Sequence, residues 1–306
     1  MAVAPRALPE DYFSPAEWGS LTYRSRGRGL WCVAHCWGVI GLSMWAAATW
    51  PLLIPLVVLV IGTRQLGLFI LMHDAAHGLL HPNRRVNDWV GTWLCSSTLG
   101  RYRPYHLQHH RYVQQTEDPD LVLSAPFPIS RASLRRKFWR DLSGQTFYKQ
   151  RIEPLLTAAR QGSDGAKAGA AGQELARGTR FILGNALGLA LFAAAGYAWM
   201  WLVLWLLPMM TWLPLVTRIR NIAEHALIAQ NEADPLRQAR TTHAALWERA
   251  LVAPYWVNYH LEHHLFTQIP CWNLAQAHGL LRQKGVVARM ETQTGYGVLL
   301  RVASAG

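Results

Sequence analysis

Between Arg28 and Arg64 the chain carries no Asp, Glu, Lys or Arg, and the same is true between Arg180 and Arg218. Each gap can hold two helices that cross a hydrocarbon core out and back, since about 20 apolar residues span it. Residues 30–50 and 52–72 are the first predicted pair, broken at Trp50-Pro51, and residues 181–197 and 198–217 are the second. Arg64, with Gln65 beside it, is the one charge inside these spans, and an intramembrane charge is a functional candidate by default.

Arg64 apart, the 30 basic and 18 acidic side chains fall in residues 1–29, 73–180 and 218–306. The positive-inside rule places those three segments, and with them both termini, in the cytoplasm. It also accounts for the net charge of +12 without a nucleic-acid partner, and none is expected, because the basic residues are interspersed with acids and tryptophans. Charged residues make up only 16% of the chain against roughly 25% in soluble domains, so lipid forms part of the solvent. The four cysteines form no CxxC pair and suggest reduced thiols. The start, MAVAPRALPEDYFSP, lacks the order of a secretory signal, so the first span is expected to be retained.

The expected fold is all-α, one membrane domain over residues 1–306 with four spans in two hairpins and a helical cytosolic cap. Residues 12–18 read as an interfacial element rich in aromatics. No Pro or Gly interrupts residues 68–77, so the second span is expected to continue as a helix past the bilayer. Residues 89–99 are too short to span and read as an in-plane or re-entrant helix. The basic, aromatic stretch 131–151 resembles an amphipathic helix on anionic lipid, and 161–172 reads as flexible and low in complexity.

Thirteen histidines are present, and most are clustered. His73 and His77 stand at i, i+4 in HDAAH. His106, His109 and His110 form HLQHH, and His260, His263 and His264 repeat that pattern in HLEHH, while His225 follows Asn221 at i+4. Residues three and four apart share one helix face, so each cluster aims its imidazoles in one direction. One zinc needs four ligands, so eight or nine converging imidazoles suit two metals of higher coordination, and iron combines that ligation with oxygen chemistry. Asp74, Glu224 and Glu262 each adjoin a clustered histidine and are placed to accept the proton of another imidazole. Ordinary solvation is the alternative for each of the three. His35, His243 and His278 are read as lacking a metal role, and His81 as an extra ligand or a supporting group.

These residues resemble the membrane fatty acid desaturase superfamily, whose signature is three histidine boxes, here His73–His77, His106–His110 and His260–His264. Asn221 and His225 look like its additional Asn-x-x-x-His element, whose histidine binds iron and whose asparagine contacts a water on it. RPYHLQHHRYVQQTEDPDL and VNYHLEHHLFTQIPCWNL look like bacterial members grouped with rhizobitoxine-type desaturases. The first box has three intervening residues rather than four, which sets it apart from acyl-CoA desaturases. The resemblance implies two iron ions held at the histidines with Asn221, O2 as cosubstrate, and removal of hydrogen from an unactivated C–H bond of a lipid or acyl chain. It also implies a bacterial inner-membrane protein with a cytoplasmic active site.

No haem segment, dinucleotide fingerprint or iron–sulfur cysteine cluster is found, so electrons must come from an external ferredoxin or cytochrome-type donor. Arg64 is the candidate to hold a substrate carboxylate or headgroup. A hydroxylase, ketolase or decarboxylase fits the same boxes, and a non-enzymatic metal carrier is the alternative from another class.

Overall fold

A computed structural model describes residues 4–161 and 168–306, and it is predominantly helical. Helix α1 (Pro15–Leu21) is started by a reciprocal cap: Ser14 Oγ accepts the Glu17 N–H, and the Glu17 carboxylate accepts the Ser14 N–H. Helix α2 (Arg28–Thr49) stops at Trp50-Pro51, because proline has no N–H to continue the ladder. After a 3₁₀ turn, α3 (Ile54–Ala76) runs past the expected end of the span and carries His73 in its last turn. Gly78, at φ +76°, then turns the chain.

Asn83 caps α4 (Arg84–Val90), which passes into a π-helical turn, Gly91–Cys95, before α5 (Leu99–Tyr112) begins. The expected single helix over 89–99 is therefore two pieces, broken where Ser96 is extended at φ −160°. The stretch 131–151 is also divided. Helix α6 covers Arg131–Leu142, Gly144 adopts φ +78°, and two short turns follow before α7 (Glu153–Gln161). Of the low-complexity stretch 161–172, residues 162–167 lie outside the described residues, while α8 (Ala168–Ala194) already includes its end. Downstream come α9 (Trp212–His225), α10 (His260–Leu265), α11 (Leu274–Gln283) and α12 (Tyr296–Ala303).

The all-α expectation needs one correction. Thr241–His243 (β1) and Thr292–Thr294 (β2) pair in parallel, Thr241 opposite Thr292. Both are threonine-rich, which suits a pleated surface, and parallel pairing is feasible because the long connection holds α10 and α11.

Among the described residues three helical stretches are long and apolar enough to cross a membrane: Arg28–Thr49, Pro51–Ala76 and Ala198–His225. The apolar part of α8, Gly178–Ala194, is shorter. Large apolar side chains stand exposed along these helices, among them Trp31, Leu42, Trp45, Leu183, Leu187 and Leu191. Such exposure is costly in water and ordinary in lipid.

The chain forms two compact units. In the unit of 39–65 and 135–215, Trp212 Nε1 donates to Thr63 Oγ1 at 3.0 Å and Gln65 Nε2 to the Trp205 carbonyl at 2.8 Å. A Cβ on Gly62 would lie 2.8 Å from the Trp212 ring, so glycine permits that packing. The other unit, Met1–Gly38, Leu66–Leu134 and Val216–Gly306, contains every clustered histidine. Its fully buried side chains include Leu71, Leu80, Leu99, Ile222, Leu261 and Ile269.

Candidate metal centre

The last turn of α3 and the turn just after it, the end of α5, the end of α9 and the whole of α10 bring nine imidazoles together in two adjoining sets. His73, His77, His106, His110 and His263 form one; His109, His225, His260 and His264 form the other. Within each set the ligand nitrogens lie within 4.8 Å of one another. The sets meet where the His110 and His264 rings are 4.2 Å apart. Box spacing explains the split: in HLQHH, His106 and His110 share a face and serve the first set, while His109, offset by a third of a turn, serves the second.

The geometry fits metal ions better than hydrogen bonds. His106 Nε2 is 2.9 Å from both His77 Nε2 and His110 Nε2, and His110 Nε2 is also 2.9 Å from His263 Nε2. His260 Nε2 is 2.9 Å from His225 Nε2 and 3.0 Å from His264 Nε2. An imidazole nitrogen has one in-plane proton or one lone pair, so it serves one linear hydrogen bond, not two. Nitrogens about 2.1 Å from a shared cation and at right angles are about 3 Å apart, which is the spacing seen. His73 Nε2, buried with no hydrogen-bond partner, needs such a ligand as well.

Electrostatics keep the rings in the ligating form. Burial, reinforced by neighbouring imidazoles, pushes His106, His110 and His264 well below the ordinary histidine range, and burial with the nearby Arg103 charge pushes His77 down to about 4. Burial depresses His260 and His263 likewise. His109 goes the other way: burial opposes its charge, but the Asp118 carboxylate raises it.

That carboxylate is a residue the sequence reading missed. Asp118 Oδ1 is 2.7 Å from His109 Nδ1, which fixes the proton there and leaves Nε2 for the second set. Asp118 itself is held by the N–H groups of Gln114 and Asp120, each at 2.9 Å.

The three acids singled out from sequence have different surroundings. Asp74 Oδ1 is 3.5 Å from His73 Nδ1, while its Oδ2 accepts the Cys271 N–H at 2.9 Å. Glu224 Oε1 is 3.5 Å from His260 Nδ1 and 2.5 Å from Arg220 Nε. Glu262 accepts from His278 Nδ1 at 2.5 Å, an imidazole outside the nine, and from Thr241. Its neighbours His260 and His263 face the metal sets, so its own side chain leaves the helix on another side. His278 thereby has partners, Glu262 and Arg282, that its isolation in the sequence did not suggest.

Asn221 lines a partly open cavity with Tyr102, Asp120, Arg220 and Glu224, beside His106, His109, His225 and His260. His81 stands apart from both sets, its Nδ1 accepting the Asn83 N–H. His35 is hydrogen-bonded to Tyr255, and Arg64 lies in the other unit.

An apolar helical frame with three candidate spans and a buried imidazole-rich centre defines an integral membrane protein with a site that could bind metal. The fatty acid desaturase family model matches residues 48–292, and the chain belongs to that family of oxidoreductases. It is 27% identical to a dihydrorhizobitoxine desaturase of Bradyrhizobium elkanii, over 79% of this chain and 72% of that one. A chloroplastic omega-6 fatty acid desaturase of Glycine max is 25% identical over 80% of this chain, which spans only 59% of that protein's length. A beta-carotene ketolase of Paracoccus is 25% identical over 78% of this chain and 86% of its own.

Proposed function

We propose that the chain is an O2-dependent desaturase that introduces a C=C bond into the alkyl chain of a fatty acid or acyl lipid. Its centre is two iron ions, and its electrons come from an external ferredoxin or cytochrome-type donor. The observation that carries this reading is the meeting of nine buried imidazoles in adjoining sets of five and four. His73, His77, His106, His110 and His263 hold one iron; His109, His225, His260 and His264 hold the other, with Asn221 offering its amide to the adjacent cavity. Iron bound there supplies the capacity to activate O2 for attack on an unactivated C–H bond.

The protein's own part is placement. Neutral imidazoles present lone pairs, Asp118 orients His109, Asp74 and Glu224 offset the charge, and the buried setting excludes water from the reacting groups. Two hairpins of four spans, with α8 supplying part of the third, suit a single domain over residues 1–306 in a bacterial inner membrane. The active site and both termini face the cytoplasm, as the charge distribution favours. Basic surface there suits an acidic electron donor, whose docking weakens as salt rises. Arg64 remains a candidate to hold a headgroup: Arg64→Met is expected to raise the substrate requirement more than it lowers stability.

The ketolase relative favours a second outcome on the same scaffold, oxygen insertion by a hydroxylase or ketolase, with decarboxylation as its variant. A metal carrier is the remaining alternative. Iron per chain, O2 consumption and product masses decide. Two irons with loss of two hydrogens are expected; gain of oxygen or loss of a carbon supports the scaffold's other reactions, and a single zinc with no O2 use overturns the enzyme reading.

A further inference from the structure

The proposed reaction leaves one buried cation at the centre unused. Arg220 sits on α9 five residues before His225, with its side chain only 16% exposed. A guanidinium is always charged, and beside two metal ions it adds like charge to a site already positive. Glu224 offsets part of this through Arg220 Nε at 2.5 Å. Among the described residues Glu224 is the guanidinium's one hydrogen-bond partner, so the Nη1 and Nη2 donors of the fork are uncommitted.

Arg220 lines a cavity whose other lining residues, Leu123 apart, carry polar or ionisable groups: besides the histidines they are Tyr102, Asp120, Ser124, Asn221 and Glu224. A methylene chain lying there would leave several polar groups unpaired, which is costly. The polar end of a substrate would pair with them.

Resting on the desaturase reading, we infer that Arg220 is the anchor for a substrate carboxylate, and that the substrate is an acid oxidised within a few bonds of its carboxyl group. The closeness follows from the cavity itself, which Arg220 lines together with His106, His109, His225 and His260, four of the nine rings. A carboxylate on that guanidinium therefore shares the cavity with three rings of the second metal set, His109, His225 and His260. Arg64 implies a different arrangement, since it lies nine residues, or about 13 Å of helix, before His73.

The test is calorimetric titration of the iron-loaded protein, under anaerobic conditions, with butanoate and with the uncharged butanamide. Butanoate is expected to bind more tightly than the amide, and Arg220→Gln to weaken butanoate by roughly 10- to 100-fold with butanamide unchanged. Arg220→Lys, which keeps the charge but not the fork, should fall between. If Arg220→Gln loses iron, the lysine variant decides, and undiminished butanoate binding there overturns the proposal. Equal binding of the two probes by the native protein overturns it as well. So does butanoate binding that depends on Arg64 rather than Arg220, or that Arg220→Gln leaves unchanged because the irons take the carboxylate directly. Iron measured in the same samples separates the failures: Arg220-independent binding by a two-iron protein sinks only this inference, and absence of iron from the native protein sinks the desaturase reading.

Discussion

His109 and Asp118 form the shortest carboxylate support of the nine-imidazole centre, with Nδ1 and Oδ1 2.7 Å apart and both side chains almost fully buried. Asp74 and Glu224 stand 3.5 Å from their rings, and Asp120 Oδ2 stands 3.7 Å from the same His109 Nδ1. His109 is also the member whose position in HLQHH sends it to the other set, so its support decides whether the second set is complete.

Asp118→Asn should therefore weaken the second set selectively. Asparagine has one carbonyl oxygen where the carboxylate has two acceptors, and the three groups donating here, His109 Nδ1 and the N–H groups of Gln114 and Asp120, cannot all be satisfied. Loss of such a supporting carboxylate typically lowers metal affinity 10- to 100-fold. Iron titration should show one site retained and one weakened; unchanged affinity at both would remove the role given to Asp118.

Arg103 ties the box-carrying helices together. It donates from Nε to the Ala76 carbonyl and from Nη2 to that of Ala75, both at 2.9 Å, while pairing with Asp88 at 2.5 Å. It thus fastens α5 to the end of α3, between His73 and His77. Arg103→Met takes the side-chain donor from the Ala76 carbonyl, a cost of about 1–3 kcal/mol, while the Ala75 carbonyl keeps Asn87 Nδ2 and the Gly78 N–H. The first set should lose iron before the second, read as stoichiometry falling from two towards one per chain during dialysis against a chelator. Simultaneous loss from both sets would assign Arg103 to general stability.

Much of this centre was legible because helical periodicity is local. Residues spaced i, i+3 and i+4 share a face whatever the rest of the chain does, so the boxes announced their convergence. Supporting contacts are not local. Asp118 reaches His109 across a turn set by Gln114 at φ +59°, and Glu262 turns to His278, 16 residues away. Arg220 read as one cytoplasmic charge among many, because nothing in its spacing reveals that it enters the cavity. The charge-free gaps match the first two long apolar helices to within a few residues, but the polar start of α8 and its stop before Gly196 leave an apolar stretch shorter than the expected third span.

The approach of α2 to the chain after the first box gives a packing test. A Cβ on Gly29 would lie 2.1 Å from the Leu80 carbonyl oxygen, a backbone atom that cannot swing aside. Gly29→Ala should lower the melting temperature, with a destabilisation of about 1–3 kcal/mol of the kind overpacking brings. Gly38→Ala, in the same helix with open space around the new methyl, is the control and should be neutral or slightly stabilising. Equal melting temperatures for the two variants would mean that α2 does not pack so closely there.

Acid should empty the centre, and the sign follows from the depressed imidazoles. His77 titrates at about 4 in the fold against about 6.5 in an unfolded chain, and burial shifts His106, His110, His260, His263 and His264 in the same direction. Above pH 6.5 both states are neutral and these groups cost nothing. As pH falls below 6.5 the unfolded chain takes up protons that the fold refuses, so stability drops by up to about 1.4 kcal/mol per unit for each fully shifted group. His109 has the opposite sign: its pairing with Asp118 raises it, so its contribution is full below 6.5 and is lost as pH rises through its folded value. Five strongly depressed rings and His77 outweigh that one, and protons compete with metal for the same lone pairs. Both the melting temperature of the metal-free protein and the iron retained on dialysis should decline together between pH 6.5 and 4, and a melting temperature flat across that interval would mean that the rings are not held neutral by the fold.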